Sequence, residues 1–392
     1  MLKHYWKATR RKIKKMRLKN SLRQNLVIFV IIFSFLAIYF AKPVVSAQTK
    51  TQKKPTPTPT KKKTTPTPNK SAKATATPKP KTSPTPTKSP TPATFPQIIA
   101  TAAGARVRAQ ASTSSAELQR VKLGTLIKVL EKTSNDWYRI EISAKPKNVV
   151  GWMSGQVADD WDANKKEEIY RRLVDKNYKP TGLSFLDASE LFDFLGKVQN
   201  ELKTSKSLPE YGYKQLLVLK QTLKAIPFGK DKENPYKTFL KTNDKSVVYS
   251  EPAGEWFVRS NLFWDLRKKY ENSPTAEEIA WSATQNPLPG ECEGYVNCYL
   301  FLIRSTDAEY LNLYPSGKYS AEALKNIQNQ LDPIVDDLAE KKIYTGPSDV
   351  SDRAEFNRLI SEIRAIISRL PIPEVERQKS IQQLAQIAEA FR

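Results

Sequence analysis

The sequence predicts a multidomain chain. A small all-β barrel at residues 98–162 precedes a mainly α-helical domain at 163–392. Both follow a transmembrane or signal segment at 26–47 and a disordered Pro/Thr/Lys-rich linker at 48–97. Three observations carry this prediction. The first 97 residues hold 22 Lys or Arg and no Asp or Glu, whereas the other 295 hold 42 basic and 40 acidic side chains. Beyond residue 97 the apolar residues recur first with a period of two, then with that of a helix. The only histidine of the chain is His4.

Residues 1–25 carry ten Lys or Arg, and residues 26–41 follow with only Ser34 and Tyr39 bearing a polar group. A basic flank before an apolar run is an insertion signature that keeps the flank in the cytoplasm. Residues 1–25 therefore read as a basic cytoplasmic tail and residues 26–42 as the membrane contact. Two readings of 26–47 stay open. The 16 apolar residues are short of the ~20 that span a bilayer, though Pro43, Val44 and Val45 extend them. The sequence Val45-Ser46-Ala47 resembles a small-residue cleavage site. The expected location is the cell envelope, either as a single-pass membrane protein with its C-terminal part outside or as a chain released by cleavage near Ala47.

Residues 48–97 contain 12 Pro, 15 Thr, 11 Lys and no acid. Proline removes donors and like-charged lysines repel, so this segment has no means of packing a core and should be an extended spacer. Its reach is on the order of 150 Å at ~3.1 Å per residue. Nearly all the excess charge lies before residue 98. The near-neutral remainder therefore gives no reason to expect a nucleic-acid partner.

From residue 98 the apolar residues alternate in Ala105–Arg108, Leu126–Leu130, Trp137–Glu141 and Val149–Met153, separated by Gly124-Thr125, Ser134-Asn135-Asp136 and Pro146-Lys147-Asn148. Short period-two runs with turn residues between them indicate a small barrel or sandwich. The blocks ARVRAQASTSS, LGTLIKVLE, NDWYRIE and VGWMSGQV, in that order, resemble the bacterial SH3-like domain over about 65 residues. Gln110-Ala111 departs from the Gly-Pro often found there, which affects the shape of the first loop. The resemblance implies a non-catalytic extracytoplasmic module, often one that targets peptidoglycan or another envelope ligand. Trp137, Tyr138 and Trp152 are the candidate ligand contacts, because a barrel this small leaves some aromatic surface outside. The competing reading makes Trp137 and Trp152 core or turn anchors.

Beyond residue 162 helical periodicity dominates, and about eight helices are expected. Asp187-x-x-Glu190 and Thr275-x-x-Glu278 read as capping boxes. Residues 295–313 read as one apolar helix stopped by Pro315-Ser316-Gly317, and 321–339 as a helix that Pro333 kinks or breaks. Further helices are marked by Leu216 to Leu223, Phe356 to Ile367 and Ile381 to Ala388. Residues 246–258 read as a hairpin or irregular insertion. The phrase AEYLNLYPSGKYSAEALKNI resembles the helix–turn–helix junction of tetratricopeptide-like modules, in a single copy.

With His4 in the cytoplasmic tail, Ser-His-Asp and Cys-His sites of the usual kind are excluded from the exported part. No metal site, cofactor or catalytic residue is expected: the chain has two cysteines and no phosphate-binding or dinucleotide fingerprint. Cys292 and Cys298, outside the membrane, are expected to form a disulfide rather than a redox pair. Carboxylates are the remaining catalytic candidates, notably Glu255, Glu277, Glu278, Glu291 and Glu293. The expected function is a non-catalytic envelope-binding or scaffold protein. Its SH3-like module would take a cell-wall or protein ligand, and its helical domain a protein partner. The alternatives are a carboxylate-dependent wall hydrolase targeted by that module, and a membrane-anchored sensor or assembly factor.

Overall fold

A computed structural model describes residues 96–143, 146–287, 291–340 and 343–392. The basic tail, the segment at 26–47 and the linker up to residue 95 lie outside the described residues. Among the described residues no helix is long and apolar enough to cross a membrane.

The alternating runs form strands. They are β1 (Gln97–Ala100), β2 (Ala105–Arg108), β3 (Glu117–Val121), β4 (Leu126–Lys132), β5 (Trp137–Ile142), β6 (Val149–Ser154) and β7 (Ala158–Asp160). Together they make one antiparallel sheet in the order β3-β2-β6-β5-β4-β1-β7. Val107, Ile127, Val129, Ile140 and Met153 meet in its core. Ile98 and Ala100 join that core, while Ile99, on the opposite face of β1, packs into a helical cluster. A strand buried on both faces reads as a continuous apolar run, so period-two reading passes over β1.

Three helices build on β1: α1 (Lys166–Asn177), α2 (Phe185–Glu201) and α3 (Leu208–Lys224). Tyr170, Leu173, Leu191, Phe194 and Val198 from α1 and α2 enclose Ile99 and Leu123 of the sheet. A second cluster gathers Leu219, Leu223, Val247, Val258, Phe263 and Ile279. These come from α3, the hairpin β8 (Val247–Ser250) and β9 (Glu255–Val258), α5 (Asn261–Lys269) and α6 (Ala276–Thr284); α4 (Tyr236–Thr242) precedes the hairpin. The largest cluster is made by α7 (Val296–Ser305), α8 (Asp307–Leu313), α9 (Ser320–Asp337), α10 (Val350–Ser368) and α11 (Glu374–Ala390).

The structure corrects the helical reading at several points. The described residues hold eleven α-helices rather than about eight, and α1, α4 and α5 have no counterpart in the expected set. The helix expected at 295–313 is two: the backbone leaves helical geometry at Thr306 (φ −119°, ψ −99°). There the buried Asp307 opens α8 and accepts from the Asn326 and Gln330 amides of α9, each at 3.1 Å. The expected capping box at Asp187 is absent; α2 is capped one turn earlier by Ser184, whose Oγ accepts from the Asp187 N–H at 3.2 Å. Thr275 makes no side-chain cap to α6. Pro333 lies inside α9 without ending it. The predicted hairpin at 246–258 is present as β8–β9. The phrase that resembles a tetratricopeptide-like junction forms α8, a turn and α9; one pair does not make a solenoid, and the likeness goes no further.

Candidate functional site

Strand register assembles the outer face of the sheet. Trp152 on β6 lies opposite Arg139 on β5 and opposite Arg108 on β2. Its neighbours Gly151 and Met153 are buried, so alternation turns Trp152 outward, where it is half-buried. Val150, two residues away on the same face, is exposed. Arg108 Nη1 donates to the Ser115 carbonyl at 2.7 Å, and the Arg139 guanidinium lies 3.7 Å from Glu131. An indole with an arginine on each neighbouring strand offers a flat apolar surface, with donors nearby that suit a carboxylate.

The three aromatic candidates are not equivalent. Tyr138 is on the inner face and 4% exposed, within the sheet core. Its hydroxyl donates to Asp160 Oδ1 at 3.1 Å, and the Lys132 ammonium lies 4.7 Å from the ring centroid. Burial raises its pKa, so it stays a neutral donor. Trp137 shares the outer face with Trp152 but is only 9% exposed. Of the three, only Trp152 is half-buried rather than buried. Arg108 and Arg139 were missed among the candidates, although the alternation in ARVR and WYRIE puts both on the face opposite the core residues.

The sheet is held on the helices by a polar seam. Glu190 of α2 is buried, and its Oε2 accepts from the backbone N–H of Leu123 at 2.8 Å and of Gly104 at 3.1 Å. Lys197 Nζ donates to the Gly124 carbonyl at 2.7 Å, and Lys122 pairs with Asp193 at 2.9 Å. The Asp193 hydrogen bond raises the Lys122 pKa, whereas burial lowers that of Lys197. On the other side, Asn177 Nδ2 donates to the Thr101 carbonyl at 3.1 Å, and Arg172 pairs with Asp159 at 2.9 Å. Gly124 has φ +75°, and a Cβ there would lie 2.2 Å from the Phe194 ring, so the close approach of loop to helix needs glycine. These contacts fix the outer Trp152 face relative to the helical domain.

Cys292 and Cys298 form the predicted disulfide, with Cα atoms 5.4 Å apart. The bridge closes the entry to α7, where the Tyr295 N–H donates to the Cys292 carbonyl and the Val296 N–H to the Thr345 carbonyl. Of the carboxylates singled out in the sequence, Glu277 and Glu278 of α6 are held by structural partners. Glu277 accepts from the Tyr310 hydroxyl at 2.7 Å. Glu278 accepts from the Tyr319 hydroxyl at 2.7 Å and from Lys318 Nζ at 3.0 Å. Burial alone would raise the Glu278 carboxyl, but the hydrogen bonds from Tyr319 and Lys318 outweigh it and hold it below the usual range. Glu255 is on β9, and Glu293 adopts φ 45° inside the disulfide loop. Among the described residues no group of three or more His, Cys, Asp or Glu is placed to hold a metal ion.

No curated protein matches the chain. The part that does find a counterpart is the sheet carrying the Trp152 face: residues 103–158, from the turn at Gly104 to the start of β7, match the family model of the bacterial SH3 domain.

Proposed function

We propose that this chain is a non-catalytic cell-envelope binding and scaffold protein. Its SH3 module takes a wall or protein ligand on the Trp152 face, and its helical domain engages a partner. The observation that carries this reading is the match of residues 103–158 to the bacterial SH3 domain, a module that generally binds cell-wall or protein ligands. The outer face supports it, since Arg108 and Arg139 on either side of Trp152 suit a ligand with acidic groups beside an apolar surface. The buried seam supports a scaffold role, because it carries the module rigidly instead of on a hinge. The segment at 26–47 and the Pro/Thr/Lys linker suit export and a tether.

The hydrolase alternative requires a carboxyl poised as a general acid near neutral pH. Glu278 is held below the ordinary range by hydrogen bonds from Tyr319 and Lys318. Asp307, whose carboxyl burial pushes up to about 6, is enclosed in the helical core with both oxygens taken by the Asn326 and Gln330 amides. Neither offers a poised, accessible acid, which favours the non-catalytic reading.

The test is sedimentation of the full chain with isolated cell-wall sacculi across salt, with muropeptide release followed in the same tube. Trp152→Ala, Arg108→Ala and Arg139→Ala are compared with the parent. Binding without release, weakened about tenfold by Trp152→Ala, is the expected result. Release abolished by a single Glu→Gln change would replace this reading with the hydrolase. Undiminished binding by all three variants would remove the Trp152 face. The isolated module is unsuitable for this test, since it would expose Ile99 and Leu123, both buried by the helices.

A further inference from the structure

The β8–β9 hairpin carries an aromatic cluster that the core does not absorb. Tyr249 and Trp256 are paired in register, with ring centroids 5.4 Å apart and planes tilted by 55°. Tyr249 is 43% exposed and Trp256 is partly buried against the core beneath. Phe228, in the loop after α3, is 93% exposed. Its Cε2 lies 3.9 Å from where a Cβ on Gly254 would stand, so the ring rests beside the hairpin turn. Leaving a phenylalanine this open beside the turn of a hairpin that carries an exposed tyrosine is unfavourable unless something covers it.

The polar groups around these rings select among occupants. Asp231 Oδ2 accepts from the Trp256 indole N–H at 3.4 Å. Glu251 and Glu255 flank the turn, and Lys230 is paired with Glu233 at 2.7 Å. Lys232 lies in the same loop, and with it counted Asp231, Glu251 and Glu255 still leave the rim net acidic, which opposes an anionic bilayer, a nucleic acid or an acidic polymer. A pyranose presents a C–H face and a rim of hydroxyl donors. Rings take the first through apolar contact, and carboxylates accept from the second.

We infer that the β8–β9 hairpin, with Phe228, Tyr249 and Trp256, is a binding site for a neutral glycan strand, and is separate from the Trp152 face. It is carried by the helical domain and gives that domain a ligand of its own. The inference relies on the envelope reading only for where such a strand is met.

The test titrates the full chain with a soluble hexamer of β-1,4-linked N-acetylglucosamine, followed by calorimetry and tryptophan fluorescence. The expected result is binding that Phe228→Ser and Tyr249→Ala each weaken by about tenfold. Trp152→Ala should leave it unchanged. Salt at about 0.5 M should also leave it unchanged, because charge attraction is screened within a few ångströms there. Both substituted side chains are largely solvent-facing, and unchanged circular dichroism would show that the fold survives. No binding up to the solubility of the hexamer overturns the inference, as does binding indifferent to both variants. Phe228-dependent capture of anionic vesicles, or salt-labile capture of a Lys/Pro/Thr peptide in place of the glycan, also overturns it. Sacculus binding weakened but not abolished in Trp152→Ala, with hexamer binding intact, would separate the two faces. Hexamer binding without any sacculus retention would count against the envelope reading alone.

Discussion

Replacing Glu190 by Ala tests what holds the SH3 module on the helices. Its Oε2 is the acceptor for two backbone donors, Leu123 at 2.8 Å and Gly104 at 3.1 Å, from two separate loops of the sheet. Alanine leaves the buried Leu123 N–H and the half-buried Gly104 N–H without that partner. An orphaned buried donor costs about 1–3 kcal/mol; Leu123 bears this in full and Gly104 only in part, which predicts a loss of roughly 1–4 kcal/mol. Water entering the space left by the carboxylate would bring the loss toward the lower end. Glu190→Gln keeps a carbonyl oxygen at the same place and gives up only the charge assistance, a loss of about 1 kcal/mol. A chain of several units need not unfold in two states, so the assay of choice is amide hydrogen exchange read at Gly104 and Leu123, with urea unfolding of the full chain beside it. Alanine should release both amides together and glutamine should keep them protected. Equal cost for the two variants, with both amides still slow, would refute the idea that this carboxylate holds the seam.

Gly124→Ala combines a left-handed backbone (φ +75°) with a Cβ 2.2 Å from the Phe194 ring, and should destabilise the same seam by about 2–4 kcal/mol in thermal unfolding. A loss below about 1 kcal/mol would mean that loop and helix separate easily. Reduction of Cys292–Cys298, or Cys292→Ala with Cys298→Ala, opens a loop of sequence separation 6. On the chain-entropy model this costs at most about 2 kcal/mol, visible as a lower melting temperature with reductant. Asp307 supplies a pH dependence: burial pushes its carboxyl up to about 6, despite hydrogen bonds from Asn326 and Gln330. A raised carboxyl favours the folded state while protonated in both states, and that favour is lost as pH rises from about 4 to about 6, by up to roughly 3 kcal/mol. Asp307→Asn should flatten the stability profile across this window, and an unchanged slope would exclude Asp307 as its source.

What could be read from the sequence divides along physical lines. Half-buried elements announce themselves, because one face contacts the core and the other contacts water. The alternation in ARVR, WYRIE and VVGWM yields β2, β5 and β6, and the block order of these segments carries the SH3 likeness. Elements buried on both sides do not. Ile98 and Ile99 are adjacent residues serving two different cores, which no single period describes. The same limit explains Glu190. Read locally, Asp187-x-x-Glu190 fits a capping box, yet the turn is capped by Ser184 one residue before the helix begins. That frees Glu190 to serve loops 67 and 86 residues away in sequence. Helix caps are local and compete with any long-range donor of better geometry, so a motif three residues wide cannot decide between them. Thr306 and Asp307 repeat the lesson: an apolar run predicts one helix, and the chain makes two, the second opening on a buried carboxylate answered by α9. The candidate site follows the same rule in reverse. Composition alone ranks Trp137, Tyr138 and Trp152 together, while register gives Trp152 two arginine neighbours and draws Tyr138 into the core. Which aromatic is available to a ligand is therefore a property of strand pairing, and the arginines beside it become visible only once that pairing is known.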